Sequence, residues 1–331
     1  MTESRYSQLR RGLFDNSIQA LAFIQQFSRY QRAAKRRCEQ IRNVSYLPDD
    51  KIAHRLDIFR PKQRQSLLPV LMYIHGGGFT MGSKDTHRGI GLIYADRGHV
   101  VFNINYRLAP KYHYPAALED TAFAYQWIID NAATYGGDPS RIIVGGESAG
   151  GNLALALGVS ACFERDEPAA RMIWDTGVVP KVIMVLCGML QVSDPHRLKN
   201  VCPPINSLSR TFALNIARDV SRAYLGHGYR TPRPETVLAD PLLVMESDAR
   251  PNRPMPATYA MVGTHDTLLD DTRRLEKALN QRRIRNLVRY YPNEGHAFHL
   301  RGTSRQAIDF WRDHLTFLHR EMLRSQALKT Y

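Results

Sequence analysis

No two of the four cysteines form a metal-binding or redox pair. Cys38, Cys162, Cys187 and Cys202 are scattered, with no C-x-x-C. That argues against a zinc ribbon, a thioredoxin-like motif or a disulfide scaffold. It predicts a reducing, cytoplasmic setting without structural disulfides or bound metal. No apolar run approaches the roughly 20 residues that cross a bilayer, so no stable membrane insertion is expected. The opening "MTESRYSQLRRGLFDNS" lacks the uninterrupted apolar region of a secretory signal. Internal repeats and low-complexity linkers are missing too. Acidic residues are outnumbered 31 to 45, leaving a net charge of +14. Such a balance suits a nucleic-acid partner, but the basic residues are spread along the chain and no nucleic-acid motif accompanies them. The densest stretch, "RYQRAAKRRCEQIR" (Arg29 to Arg42), reads as the solvated face and basic end of a helix. No nucleic acid is expected as a partner; weak adhesion to acidic surfaces fits the charge better.

The 331 residues and their 44% hydrophobic content suit one large α/β domain carrying an insertion. From Pro69 onward, strand-like apolar segments alternate with helical ones. The strands are "PVLMYIH", "HVVFNINY", "RIIVGG", "KVIMVLC", "ATYAMVG" and "NLVRYY". Helices are predicted near Thr86 to Arg97, Pro115 to Thr134, Ala149 to Phe163, Leu268 to Gln281 and Ser304 to Leu323. Two further strands precede them, at Ile41 to Leu47 and Ala53 to Arg60. The alternation implies a mostly parallel sheet covered on both faces. Two segments stand apart. Apolar positions from Leu9 to Phe27 recur at helical spacing, giving an amphipathic arm over residues 1–40. The polar, proline-rich stretch from Ser193 to Asp240 surrounds one helical piece, Phe212 to Leu225, and reads as an insertion in a catalytic domain spanning 41–331.

"GGESAGGN" (Gly145 to Asn152) carries the chemistry. A serine flanked by small residues, with a buried strand before it and a helix after it, marks a sharp G-x-S-x-G turn that holds Ser148 in a strained, exposed position. A serine is a weak nucleophile alone and needs a base and an orienting acid. In an open α/β sheet such groups collect at the carboxyl ends of strands. Asp266, in "THDTLLDD", follows "ATYAMVG"; His296, in "HAF", follows "NLVRYYPNEG". Asp270 and Asp271 fall in the first turn of the next helix, where acids favour the helix dipole. Three glycines, Gly76 to Gly78 in "YIHGGGF", leave backbone amides bare for a developing oxyanion. The amide of Ala149, next to the nucleophile, would add a donor, and His75 would hold the glycine loop by hydrogen bonding.

With "HGGGF", "YRLAPKYHYPAALED", "GGDPSRIIVGGESAGGNLA", "GTHDTLLDD" and "EGHAF" in this order, the chain resembles the hormone-sensitive-lipase-like family of α/β-hydrolases from about Val70 to Leu323. Within it, the bacterial acetyl-esterase and short-chain carboxylesterase group is the most similar. The resemblance implies an eight-stranded sheet with its second strand antiparallel, and a helical cap built from the N-terminal helices and the insertion. It also implies a serine carboxylesterase for small, short-chain esters, without metal or organic cofactor. Ser148 would be nucleophile, His296 base and acid, and Asp266 its orienting partner, with Gly76, Gly77 and Ala149 as oxyanion donors. Two positions depart from the family pattern. Glu147 stands where Asp or Thr is usual, and Lys111 where Glu is common. A small-molecule receptor on the same scaffold, like the plant gibberellin receptors, is the rival; those lack the catalytic histidine that His296 supplies here. Amide or carbamate hydrolysis would use the same groups. Family members often dimerise through the last strand, here "NLVRYY", whose Arg285 and Arg289 offer some protection to an exposed edge; monomer and homodimer both stay open.

Overall fold

The structure, a computed structural model, describes residues 29–199, 207–229, 233–301 and 304–327. The apolar stripe from Leu9 to Phe27 lies outside the described residues. Eight strands form one sheet: β1 (Cys38–Ser45), β2 (Arg55–Pro61), β3 (Leu68–Ile74), β4 (Val100–Ile104), β5 (Gly137–Glu147), β6 (Val182–Leu186), β7 (Ala257–Gly263) and β8 (Asn286–Tyr291), in the order β1-β2-β4-β3-β5-β6-β7-β8. β2 runs antiparallel to both its neighbours and every other pairing is parallel. This is the sheet that the family resemblance implies. Its central strands are buried without interruption, as in "VIMVL" and "ATYAMVG", because both faces are covered.

Side-chain alternation splits the core in two. Val70, Met72 and Ile74 point to one face, beneath α3 (Ala116–Asn131) and α4 (Ala149–Cys162). Leu71 and Tyr73 point to the other, beneath α2 (Arg88–Ala95) and α9 (Arg305–Ala327). The basic stretch divides differently from its sequence reading. Helix α1 (Arg29–Arg37) ends at Arg37, and "CEQIR" opens β1, because Cys38 is buried and pairs with Pro61. Arg37 clamps Asp96, just past α2, with two hydrogen bonds of 2.7 and 2.8 Å. At the β8 edge, Arg285 and Arg289 turn to Glu321 and Asp313 of α9.

The insertion leaves the sheet after β6. It contains α6 (Ser207–Leu225), which starts earlier than the sequence periodicity predicts, and returns through α7 (Pro241–Glu246) to β7. Two short helices were not legible in the sequence, α5 (Pro168–Asp175) and α7. Both open on proline, which is favoured in a first helical turn. Helix α8 (Leu269–Gln281) follows β7. The described cysteines, Cys38, Cys162 and Cys187, are free and buried. Among the described residues no helix is long and apolar enough to cross a membrane.

Candidate active site

Ser148 sits between the last residue of β5 and the first of α4, with φ 55° and ψ −116°. A non-glycine residue in that region costs on the order of 1–3 kcal/mol. Its amide donates to Leu186 O at 2.9 Å, and its carbonyl accepts from Asn152 N at 3.1 Å and Met189 N at 3.2 Å. The flanking glycines are sterically required. A Cβ on Gly146 or on Gly150 would lie 2.1 or 2.0 Å from Ile74 O. Strand β3 therefore passes so close to the turn that only hydrogen fits on its near side.

The loops after β7 and β8 bring the two partners together. His296 Nδ1 lies 2.8 Å from Asp266 Oδ2, and Asp266 Oδ1 accepts the Leu268 amide at 2.9 Å. Asp266 is buried, whereas His296 is part-exposed. Burial alone would depress the imidazole pKa, but the Asp266 charge beside it, reinforced by Cys187, raises it well above 6.5. An Nδ1–H held by a carboxylate leaves Nε2 as the accepting nitrogen. Ser148 and His296 both face a cavity of about 550 Å³. Helix α6 roofs it with Ile216, Ala217 and Val220; Met189, Leu268 and Leu300 continue the apolar lining.

One sequence expectation needs correction. The Gly76 amide donates to Glu147 Oε1 at 2.5 Å, so it is not free to receive an oxyanion. Glu147, one of the two departures from the family pattern, is buried and collects three donors. His87 Nε2 is 2.7 Å from the same oxygen, and Tyr73 Oη donates to Oε2. Burial opposes the carboxylate charge here, but the His87 charge and the His87 and Tyr73 hydrogen bonds outweigh it and hold the Glu147 pKa at about 2. His87 moves upward: burial would lower it, and the Glu147 carboxylate overrides that. Beside them, burial drops the His75 pKa to about 4, and its Nδ1 donates to Gly76 O at 2.7 Å. His75 thus does support the loop by hydrogen bonding.

With Gly76 committed, Gly77 and Gly78 are the remaining glycines along the cavity wall, and Ala149 opens α4 directly after Ser148, which lines the same cavity. Gly77 adopts φ 116°, and a Cβ there would lie 2.1 Å from Met81 O. Directly after the glycines, the Phe79 ring stacks on Tyr224 of α6, 3.8 Å between centroids and 5° from parallel. The second departure, Lys111, is exposed, with its ammonium 5.2 Å from the Tyr112 ring centroid. The nearby buried carboxylate, Asp120, is held by Arg107 instead.

Asp271 differs from its sequence reading. It does not simply face a helix dipole in solvent: it is fully buried, accepts the Leu190 amide at 2.7 Å and pairs with Arg197 at 2.5 Å. It ties α8 to the segment that enters the insertion. Cys187, which no sequence motif assigns to the site, lies beside the Asp266–His296 pair. Among the described residues, Cys187, Asp266 and His296 form the one cluster of three side chains whose donor atoms could share a metal ion.

A family model for the alpha/beta hydrolase fold matches residues 71–300. The chain belongs to the α/β-hydrolase family. The hormone-sensitive-lipase-like resemblance carried by its motifs stands with that assignment. The chain is 32% identical over 221 residues to carboxylesterase NlhH of Mycobacterium tuberculosis, covering 65% of this chain and 61% of that protein. It is 32% identical over 259 residues to arylacetamide deacetylase of Bos taurus, covering 65% and 64%. The chain thus spans less than two thirds of the length of either relative. Among solved structures, a bacterial heroin esterase superimposes with a TM-score of 0.72 at 24% identity, over 94% of this chain and 90% of that one. That likeness concerns the fold.

Proposed function

We propose that this hydrolase is a serine carboxylesterase for small esters. In this mechanism Ser148 attacks the ester carbonyl while His296 Nε2 takes its proton. The tetrahedral oxyanion is received by the amides of Gly77, Gly78 and Ala149. His296 then protonates the departing alcohol, leaving an acyl-Ser148 ester. Water, deprotonated by His296, attacks that ester; the acid leaves and Ser148 recovers its proton. Asp266 stays ionised and holds the imidazole tautomer. The observation that carries this proposal is the 2.8 Å contact between His296 Nδ1 and Asp266 in the cavity that Ser148 also faces. The names of the relatives, carboxylesterase and deacetylase, point to the same chemistry.

For the substrate we propose short acyl chains. A roofed cavity limits the chain it can hold. Each buried methylene gains about 0.8 kcal/mol only until the wall is met. The α6 roof, with Val220 against Gly78, supplies such a wall. Initial rates on p-nitrophenyl butyrate, octanoate and palmitate, with Ser148→Ala as control, test both parts. Highest kcat/KM at about two to six carbons and no turnover by the control support the proposal. Unchanged turnover in Ser148→Ala overturns the mechanism, and a palmitate optimum overturns the short-chain assignment.

A further inference from the structure

Cys187 is the residue immediately after β6, with φ 42° and 1% of its surface exposed. Left-handed backbone is uncommon for a residue with a side chain. Here it is fixed by the Cys187 amide, which donates to Met261 O at 2.7 Å. The thiol sits beside His296 and Asp266. Sulfur, ring nitrogen and carboxylate oxygen all lie within 4.8 Å of one another.

We propose that Cys187, Asp266 and His296 form an inhibitory binding site for a borderline-soft divalent cation of the Zn²⁺ class, reached past His296, the member of the three that lines the substrate cavity. Ligand type sets the class. One thiolate, one imidazole and one carboxylate suit zinc and its transition-metal neighbours, whereas magnesium and calcium prefer all-oxygen shells. Tetrahedral zinc, with bonds of about 2.0–2.3 Å, separates its donors by about 3.3–3.8 Å. His296 Nδ1 and Asp266 Oδ2 are 2.8 Å apart and need to open slightly; the sulfur, within 4.8 Å, needs to approach slightly. The imidazole can make that adjustment, since His296 lies on a loop and is part-exposed to the cavity. Water arriving past His296 would fill the fourth position.

The charges balance. Coordination releases the thiol proton to solvent and moves the imidazole proton from Nδ1 to Nε2, so thiolate and carboxylate, beside a neutral imidazole, together neutralise the dication. In that state the cation replaces the Nδ1–H that Asp266 holds, and His296 is no longer an imidazole free to turn toward Ser148. The inhibitory half rests on the esterase mechanism proposed above; the binding half does not.

The test uses tag-free full-length protein and Co²⁺ as a spectroscopic probe. A thiolate-to-Co²⁺ charge-transfer band should saturate at one equivalent, bleach when Zn²⁺ is added, and vanish in Cys187→Ala and Cys187→Ser. Zn²⁺ affinity, measured by competition with a chromophoric chelator, should weaken at least tenfold in both variants. Absence of the band in the wild-type protein, or its persistence in a folded variant, overturns the site. Saturating Zn²⁺ should abolish ester hydrolysis reversibly, with EDTA restoring it. Binding without loss of rate overturns the inhibitory role. A chain that shows the band yet hydrolyses no ester without metal refutes the esterase proposal and leaves the binding site standing.

Discussion

Glu147 accepts the Gly76 amide at 2.5 Å, joining the residue before the nucleophile to the first glycine of the loop after β3. The two are 71 positions apart, but β3 and β5 pair in register up to Ile74 and Gly146, so both chains leave the sheet side by side. The carboxylate anchors the first glycine of the loop, and in the proposed mechanism the next two amides receive the oxyanion.

Glu147→Gln should therefore misplace the oxyanion donors without removing them. Losing a donor outright costs about 100–1,000-fold in kcat; a displaced loop should cost about tenfold, with KM changed less. Steady-state kinetics on an acetate ester check this. An unchanged kcat in the folded variant would detach Glu147 from the loop's function.

Asp266→Asn and Asp271→Asn should separate catalysis from stability. Asp266→Asn should lower kcat by about 10⁴-fold, the effect known where a triad acid no longer fixes the imidazole tautomer. Asp271→Asn leaves the mostly buried Arg197 without its charge partner, and breaking such a pair costs about 3–5 kcal/mol. Denaturant melts should show that loss, while kcat of the folded fraction stays within about threefold. Reversed outcomes would exchange the two roles.

The pH profile follows from His296. Only the neutral imidazole accepts the Ser148 proton. Because the Asp266 charge outweighs burial and raises the imidazole pKa, activity should fall as pH drops through a value well above 6.5. The rising limb of kcat/KM should be centred on the alkaline side of an ordinary histidine. In Asp266→Asn the residual rate should show that limb moved to lower pH, because burial then acts with less opposition. A limb at or below 6.5 in the wild-type enzyme would contradict the pair's electrostatics.

Ala217→Trp should shorten the acyl preference. Ala217 faces the cavity from α6 and is nearly buried, so an indole there fills space beside the acyl chain. Octanoate-ester kcat/KM should drop at least tenfold more than acetate-ester kcat/KM, in the range that pocket contacts supply. Equal losses on both esters would place the acyl chain elsewhere.

Much of this site is legible in the sequence. Ser148, Asp266 and His296 announce themselves because each follows an apolar strand, and the sheet order brings strand exits to one rim. The oxyanion donors are less legible. Three consecutive glycines look alike in sequence, and which amide is already occupied depends on Glu147 reaching across two strands. The acidic residue before the serine was the available clue. Asp271 shows the same limit: its place in a first helical turn explains a dipole contact, but its burial depends on Arg197, far away in the chain. Cys187 left no motif at all, because its position beside His296 arises from one left-handed residue after β6.

The Phe79–Tyr224 stack has a consequence for turnover. Phe79 directly follows the glycine loop, and Tyr224 belongs to the last turn of the roof helix. Under the proposed mechanism, a roof helix that lifted to widen the mouth would separate the rings and unseat the glycine loop in the same motion. Admitting a bulky substrate and reacting with it would then exclude one another, and the rate of reclosing would set a ceiling on kcat.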